Sequence, residues 1–358
     1  MIWLTVLVFV GLLLVLVLVH ELGHLLAAKK AGCNVEEFGF GFPPRIAAWK
    51  YKDTVYSLNL LPLGGFVKIE GEDMDDANPG PKSFGTKSAG WRIFILAAGV
   101  LMNVLLAVLL LSAQAGVGFP TLVTDSNANQ LTDVKTYVTQ VAPDSPAAEA
   151  GISELDRITR IGEINDPNTD EVQVFVQDNL GQEIKLGLEN QGQHREIALV
   201  PRANPPVGEG ALGVVMAATG LEKVPWWQTP WAGIKRTGMM LTAIVTQFTA
   251  IIGRLVSSGT VGESLTGPVG IAVYTNEVTN LGLPYILEFG ALISLNLAII
   301  NILPFPALDG GRIVFVILEK LRGRKMAAKV EQVTHTVGFF VLIGLMIAIT
   351  VRDIQRFF

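Results

Sequence analysis

The chain has 358 residues, 50% of them hydrophobic, and a mean hydropathy of +0.45, which is too apolar for an ordinary soluble enzyme. A formal net charge of -5, with no basic run interleaved with aromatics, argues against nucleic acid as a partner. The single cysteine, Cys33, excludes an intramolecular disulfide and a cysteine-rich zinc finger, so any metal site must draw on His and carboxylate ligands.

The first 19 residues carry no charge, and the apolar run continues past His20 to Lys29, Lys30 and Gly32. This predicts a membrane helix, and without a basic leader or a small-residue cleavage site it reads as retained. Further spans are expected over residues 91–115, 285–304 and 336–351. Lys29, Lys30, Arg45, Lys50, Lys52, Lys68, Lys82, Lys87 and Arg92 lie between the first two spans, and a second basic tract runs from Arg312 through Arg322 and Arg324 to Lys329. By the positive-inside rule both tracts are cytoplasmic and both termini lie outside. Residues 238–253 are apolar enough for a fifth span, but Thr242, Thr246, Thr249 and Gly253 share a helical face. That pattern predicts an interfacial amphipathic segment, residues 223–283, tethering the outer domain.

Four signals stand in the connecting segments. Residues 56–68 alternate like a strand pair around Gly64 and Gly65. Residues 136–141 and 157–162 read as strands, with a short helix between Pro143 and Gly151. A second helix is expected over residues 172–180, followed by strands at 184–188 and 196–200 about a turn near Gly192. This series resembles a bacterial PDZ domain, although Leu155 stands where that family usually has Gly, which implies an altered turn. In the permuted strand order, Leu212, Gly213 and Val214 belong to the loop that faces a peptide terminus, so the domain either binds peptides by strand addition or gates the site.

His20-Glu21-Leu22-Gly23-His24 carries the chemistry. A spacing of four puts both imidazoles on one helix face, and Glu21 between them is a candidate general base. A carboxylate and two imidazoles in a Leu and Val run cost several kcal/mol (roughly) unless paired or metal-bound. Catalytic zinc usually keeps three protein ligands. Asp309, in a Pro- and Gly-rich stretch just past the third span and on the same membrane side, is the best third ligand, against a reading as a helix cap.

With these motifs on the first and third spans and a PDZ-like insert, the chain resembles the site-2 protease family, the intramembrane zinc metalloproteases of M50 type. Within that family it resembles the bacterial regulated intramembrane proteases, in a form with a single PDZ domain. The resemblance implies one zinc ion on His20, His24 and Asp309, with Glu21 as base. It also implies that Asn301 and Asn296 position the substrate backbone. The Gly99 to Asn103 stretch of the second span resembles the family's Gly-x-x-x-Asn, and the segment around Gly64 and Gly65 its membrane-associated β-loop, which presents an edge to an extended substrate.

The expected architecture is an α-helical polytopic membrane protein of four transmembrane helices, with a β-loop and an inserted α+β PDZ-like domain. Residues 1–118 hold the first two spans, 119–222 the outer domain, 223–283 the interfacial segment and 284–358 the last two spans. The expected function is endopeptidase cleavage of transmembrane segments of single-span proteins, anti-sigma factors or remnant signal peptides, trimmed beforehand by another protease. The expected location is a bacterial inner membrane, with the active site near the cytoplasmic side. A catalytically idle PDZ scaffold and a zinc transporter are the competing classes. An intact Glu21 opposes the first and the scarcity of intramembrane carboxylates the second. His194 and His335 are read as ordinary polar residues outside the site.

Overall fold

The computed structural model describes residues 2–72, 80–124, 126–127, 131–190, 192–206, 208–258, 266–324 and 326–357. Among the described residues, four helices are long and apolar enough to cross a membrane: Trp3–Lys30, Ala89–Val117, Leu283–Ile302 and Lys329–Phe357. They fall on the four expected spans, because predominantly apolar runs of this length have few alternatives to a helix that satisfies its own backbone. We label the helices α1 (Ile2–Lys30), α2 (Ala89–Val117), α3 (Pro146–Glu149), α4 (Thr169–Asp178), α5 (Thr229–Ser258), α6 (Pro268–Leu281), α7 (Leu283–Ile302), α8 (Asp309–Arg322) and α9 (Ala328–Phe357).

Two compact units divide the chain: Ala113–Thr229 with Asn280–Tyr285 form one, and the remaining segments form the other. In the helical unit, α1 and α2 are joined by a hairpin of β1 (Val35–Tyr51) and β2 (Thr54–Ile69). Here the sequence expectation needs correction. The two halves of residues 56–68 do not pair with each other across Gly64 and Gly65. The chain turns instead between Tyr51 and Thr54, both strands bend, and Phe38 of β1 lies between Tyr56 and Val67. The glycines and adjacent prolines of β1 hide its alternation, so periodicity alone finds only β2.

One core cluster ties Leu25 and Ala28 of α1 to Ile95 and Leu96 of α2, Val35 and Ile69 of the hairpin, and Val316 of α8. A second joins Ala107 and Leu111 of α2, Ile244 of α5, and Ala291 and Leu295 of α7. α5 is not among the four candidate spans. Its first half nevertheless lies along them, since a side chain at Gly233 would meet Ser112 and Val108 of α2. The threonines read as its polar face, Thr242, Thr246 and Thr249, are exposed, and two of them bond back to their own helix: Thr242 donates to the Gly238 carbonyl and Thr249 to the Thr246 carbonyl, both at 2.8 Å. Back-bonded hydroxyls of this kind carry little polarity to a helix surface.

In the second unit the order of β3 (Phe119–Leu122), β4 (Thr132–Val141), β5 (Arg157–Ile161), β7 (Ile184–Asn190), β8 (Gln193–Leu199) and β9 (Val214–Glu222) across the sheet is β3-β9-β4-β5-β7-β8. The two-residue β6 (Ile164–Asn165) pairs β5. Val138, Ile158, Ile161, Leu186, Leu188 and Val172 of α4 fill its core. Every strand and helix expected here is present. α4 begins three residues before the predicted start because Asn168 and Glu171 form a reciprocal capping box, a signal that apolar periodicity does not contain. The turn at Leu155 is retained: the residue adopts a φ of 67°, the left-handed conformation a glycine takes without strain.

Candidate metal centre

The spacing of His20 and His24 places both rings on one face of α1, where both are buried. Their Nε2 atoms are 3.2 Å apart. The Oδ2 atom of Asp309 lies 3.2 Å from the first and 3.4 Å from the second. Ligand atoms around tetrahedral zinc at bond lengths of about 2.0–2.1 Å are separated by about 3.3–3.4 Å. The triangle therefore has the dimensions that such an ion requires, and these three residues can hold one. Asp309 Oδ2 is buried without a hydrogen bond of normal geometry, which leaves its lone pairs for a cation.

How Asp309 arrives at the histidines is a matter of packing. α7 ends at Ile302, and the chain folds back so tightly that a Cβ on Gly310 would strike the carbonyl oxygens of Ile302 and Leu303. Asp309 occupies the first turn of α8, while the capping position belongs to Leu308 and carries no side-chain cap bond. The helix-cap reading of Asp309 therefore fails. The preceding loop is held by α9: the Ala307 N–H donates to His335 Nδ1 at 2.9 Å, with Ala307 at a φ of 72°. His335, set aside on sequence grounds, thus positions the loop that delivers the carboxylate. Its neighbour in space is far away in sequence, so no local signal could have revealed it.

Second contacts prepare the imidazoles. His24 Nδ1 is 2.9 Å from the Ile95 carbonyl oxygen, which can only accept, so the proton resides on Nδ1 and the Nε2 lone pair faces the centre. His20 Nδ1 is 3.3 Å from Asn103 Nδ2, and Asn103 Oδ1 is buried without a partner. Exchanging the amide O and N lets Oδ1 accept from His20 Nδ1–H and gives His20 the same tautomer. Gly99, one turn earlier on α2, makes room: a Cβ there would strike His24 Nε2 and lie 2.7 Å from His20 Cε1. The Gly99 and Asn103 pair therefore contacts the histidines directly.

The remaining residues divide. Glu21 and Gly65 line one cavity of about 180 Å³ together with the triangle, and a Cβ on Gly65 would be 3.3 Å from Glu21 Cγ. Gly64 precedes it on β2 and packs against Phe42. Asn301 reaches the rim, with Nδ2 3.5 Å from His20 Nε2. Asn296 does not join them, for its amide donates to the Leu292 carbonyl of its own helix at 2.8 Å. Leu212, Gly213 and Val214 lie in the other unit. There the Gly213 N–H bonds the Gly210 carbonyl, and the Leu212 carbonyl accepts from Ala147 N–H.

Comparison with known proteins agrees with this chemistry. The model of peptidase family M50 matches residues 8–345. The chain is 31% identical to zinc metalloprotease RasP of Oceanobacillus iheyensis, over 99% of each chain. It is 32% identical to a putative zinc metalloprotease of Clostridium perfringens over 95% of each, and 29% identical to the regulator of sigma-W protease RasP of Bacillus subtilis over 99% of each. A family match running almost end to end, over residues whose donor atoms already stand at zinc-ligand separations, establishes that the chain belongs to peptidase family M50, the zinc metalloproteases of site-2 type.

Proposed function

We propose that this zinc metalloprotease cleaves transmembrane segments of single-span membrane proteins, anti-sigma factors or remnant signal peptides, after another protease has trimmed their outer parts. The observation that carries the reading is the position of the metal triangle: two of its members belong to an apolar helix long enough to cross a bilayer. Polar groups at such a depth are costly unless they serve an ion. The sigma-W regulatory protease among its relatives points the same way.

His20, His24 and Asp309 would hold the ion, and zinc bound there would supply Lewis-acid polarisation of a carbonyl and an acidified water. Glu21 takes the proton from water and returns it to the leaving amine. The edge of β2 beside Glu21 accepts the substrate as an added strand. A substrate helix must unwind to reach the site, and this pairing satisfies the backbone groups set free. Asn301 orients the substrate backbone from the rim, and Asn296 does so only after leaving its own helix. Exposed Phe42, Ile46, Trp49 and Leu60 suit the hairpin to a lipid-facing position. The protein resides in a bacterial inner membrane as a multi-pass chain, with termini and the PDZ-like unit outside and the site toward the cytoplasm. The PDZ-like unit serves in one of two ways, binding peptide termini at Leu212, Gly213 and Val214 or gating access to the site.

The test is to compare membrane proteomes of cells carrying the native protein and Glu21→Gln. Trimmed single-span proteins are expected to accumulate in the variant. An unchanged inventory of such fragments would refute the substrate assignment.

A further inference from the structure

The cavity that holds the metal triangle is also lined by Glu72, just past β2, and by Arg312 of α8. Arg312 is three residues after Asp309, so the two share a helix face. Its backbone N–H bonds the Leu308 carbonyl at 3.3 Å, and its Nη1 donates to Glu72 Oε1 in an ion pair. The pair is not a surface ornament: 34% of the Arg312 side chain and 17% of that of Glu72 remain exposed. Among the described residues that line this cavity, Arg312 is the only permanently charged cation, set against the carboxyls of Glu21, Glu72 and Asp309.

Hydrolysis changes the charge in that space. Water adds its oxygen to the carbonyl carbon, the C–N bond breaks, and the amine leaves as an ammonium while the acyl fragment ends in a carboxylate. A neutral amide enters, and an anion is left beside three acidic side chains. We infer that Arg312, steered by Glu72, forms a carboxylate subsite that holds the new C-terminus of the N-terminal cleavage product.

A guanidinium has five donors in a planar fork, matched to carboxylate geometry, and can serve two carboxylates at once. Glu72 keeps the fork aimed into the cavity when no product is present, and competes with the product for it. The subsite therefore favours a peptide acid over the corresponding amide, and Glu72 limits how long the product stays. The inference rests on the peptidase reading of this cavity, but it is tested by binding rather than by turnover.

The zinc-loaded full-length protein in detergent is titrated with an N-acetylated, leucine-rich tetrapeptide prepared as the free acid and as its carboxamide. The native protein should bind the acid more tightly. Arg312→Gln should lower the acid-to-amide preference by about tenfold or more, the worth of one hydrogen bond between charged groups. Arg312→Lys should retain part of the preference, and Glu72→Gln should raise it by removing the competing anion. A purely structural ion pair would weaken acid and amide alike, so an unchanged ratio in Arg312→Gln overturns the subsite. If that variant fails to retain zinc, Glu72→Gln and Arg312→Lys decide, and a ratio that does not rise in the former overturns it equally. Native protein that binds neither peptide would instead count against the cavity as the peptide site.

Discussion

Gly99→Ala is the sharpest test of how the metal centre is built. The added methyl would strike His24 Nε2 and lie 2.7 Å from His20 Cε1, about 0.7 Å inside ordinary van der Waals contact. Both rings must therefore move by several tenths of an ångström, whereas zinc sites tolerate ligand displacements of about 0.2 Å. The fold should survive, since one extra methyl in a packed helix interface costs about 1–3 kcal/mol. Zinc affinity should not: losses at least as large as the roughly 10- to 100-fold seen when ligand support is removed are expected. Competition with a fluorescent chelator measures this, with circular dichroism to confirm helicity. Gly11→Ala is the control, because a Cβ at that position of α1, the helix that carries both histidines, meets nothing within 4 Å. Native zinc affinity in Gly99→Ala, with Gly11→Ala also unchanged, would refute the packing argument.

Three further predictions follow from the same contacts. His24→Ala and Asp309→Ala should each deplete the single zinc ion measured by mass spectrometry, because two ligands are too few for a catalytic site; stoichiometric zinc in both would mean that the ligands are misassigned. Arg92 and Glu319 form an ion pair at 2.5 Å with side chains 8% and 6% exposed, so Arg92→Met alone should cost about 3–5 kcal/mol, and Arg92→Met with Glu319→Leu should recover most of it in thermal unfolding. A cysteine placed at Lys50 or at Arg322 should react only from the cytoplasmic side, and labelling of the Arg322 position solely from outside would overturn the proposed orientation.

Much of this protein is written locally. Long apolar runs determine four helices, a spacing of four determines that His20 and His24 share a face, and the Pro-Gly punctuation around Asp309 marks a break where a ligand can turn inward. Each is a property of one segment and needs no partner to be read. The hairpin was legible only in its second strand, because β1 carries glycines and prolines where alternation would show. Tertiary structure alone decided the rest. It brought Asp309 to histidines 285 and 289 positions earlier in the chain, made Gly99 the space that both rings occupy, and set the His24 tautomer through the Ile95 carbonyl. It also recruited His335 to the loop before Asp309 and placed Arg312 and Glu72 in the metal cavity. The physical reason is that helical periodicity fixes which side chains share a face, whereas which faces meet depends on how separate helices close-pack, and no single segment contains that information.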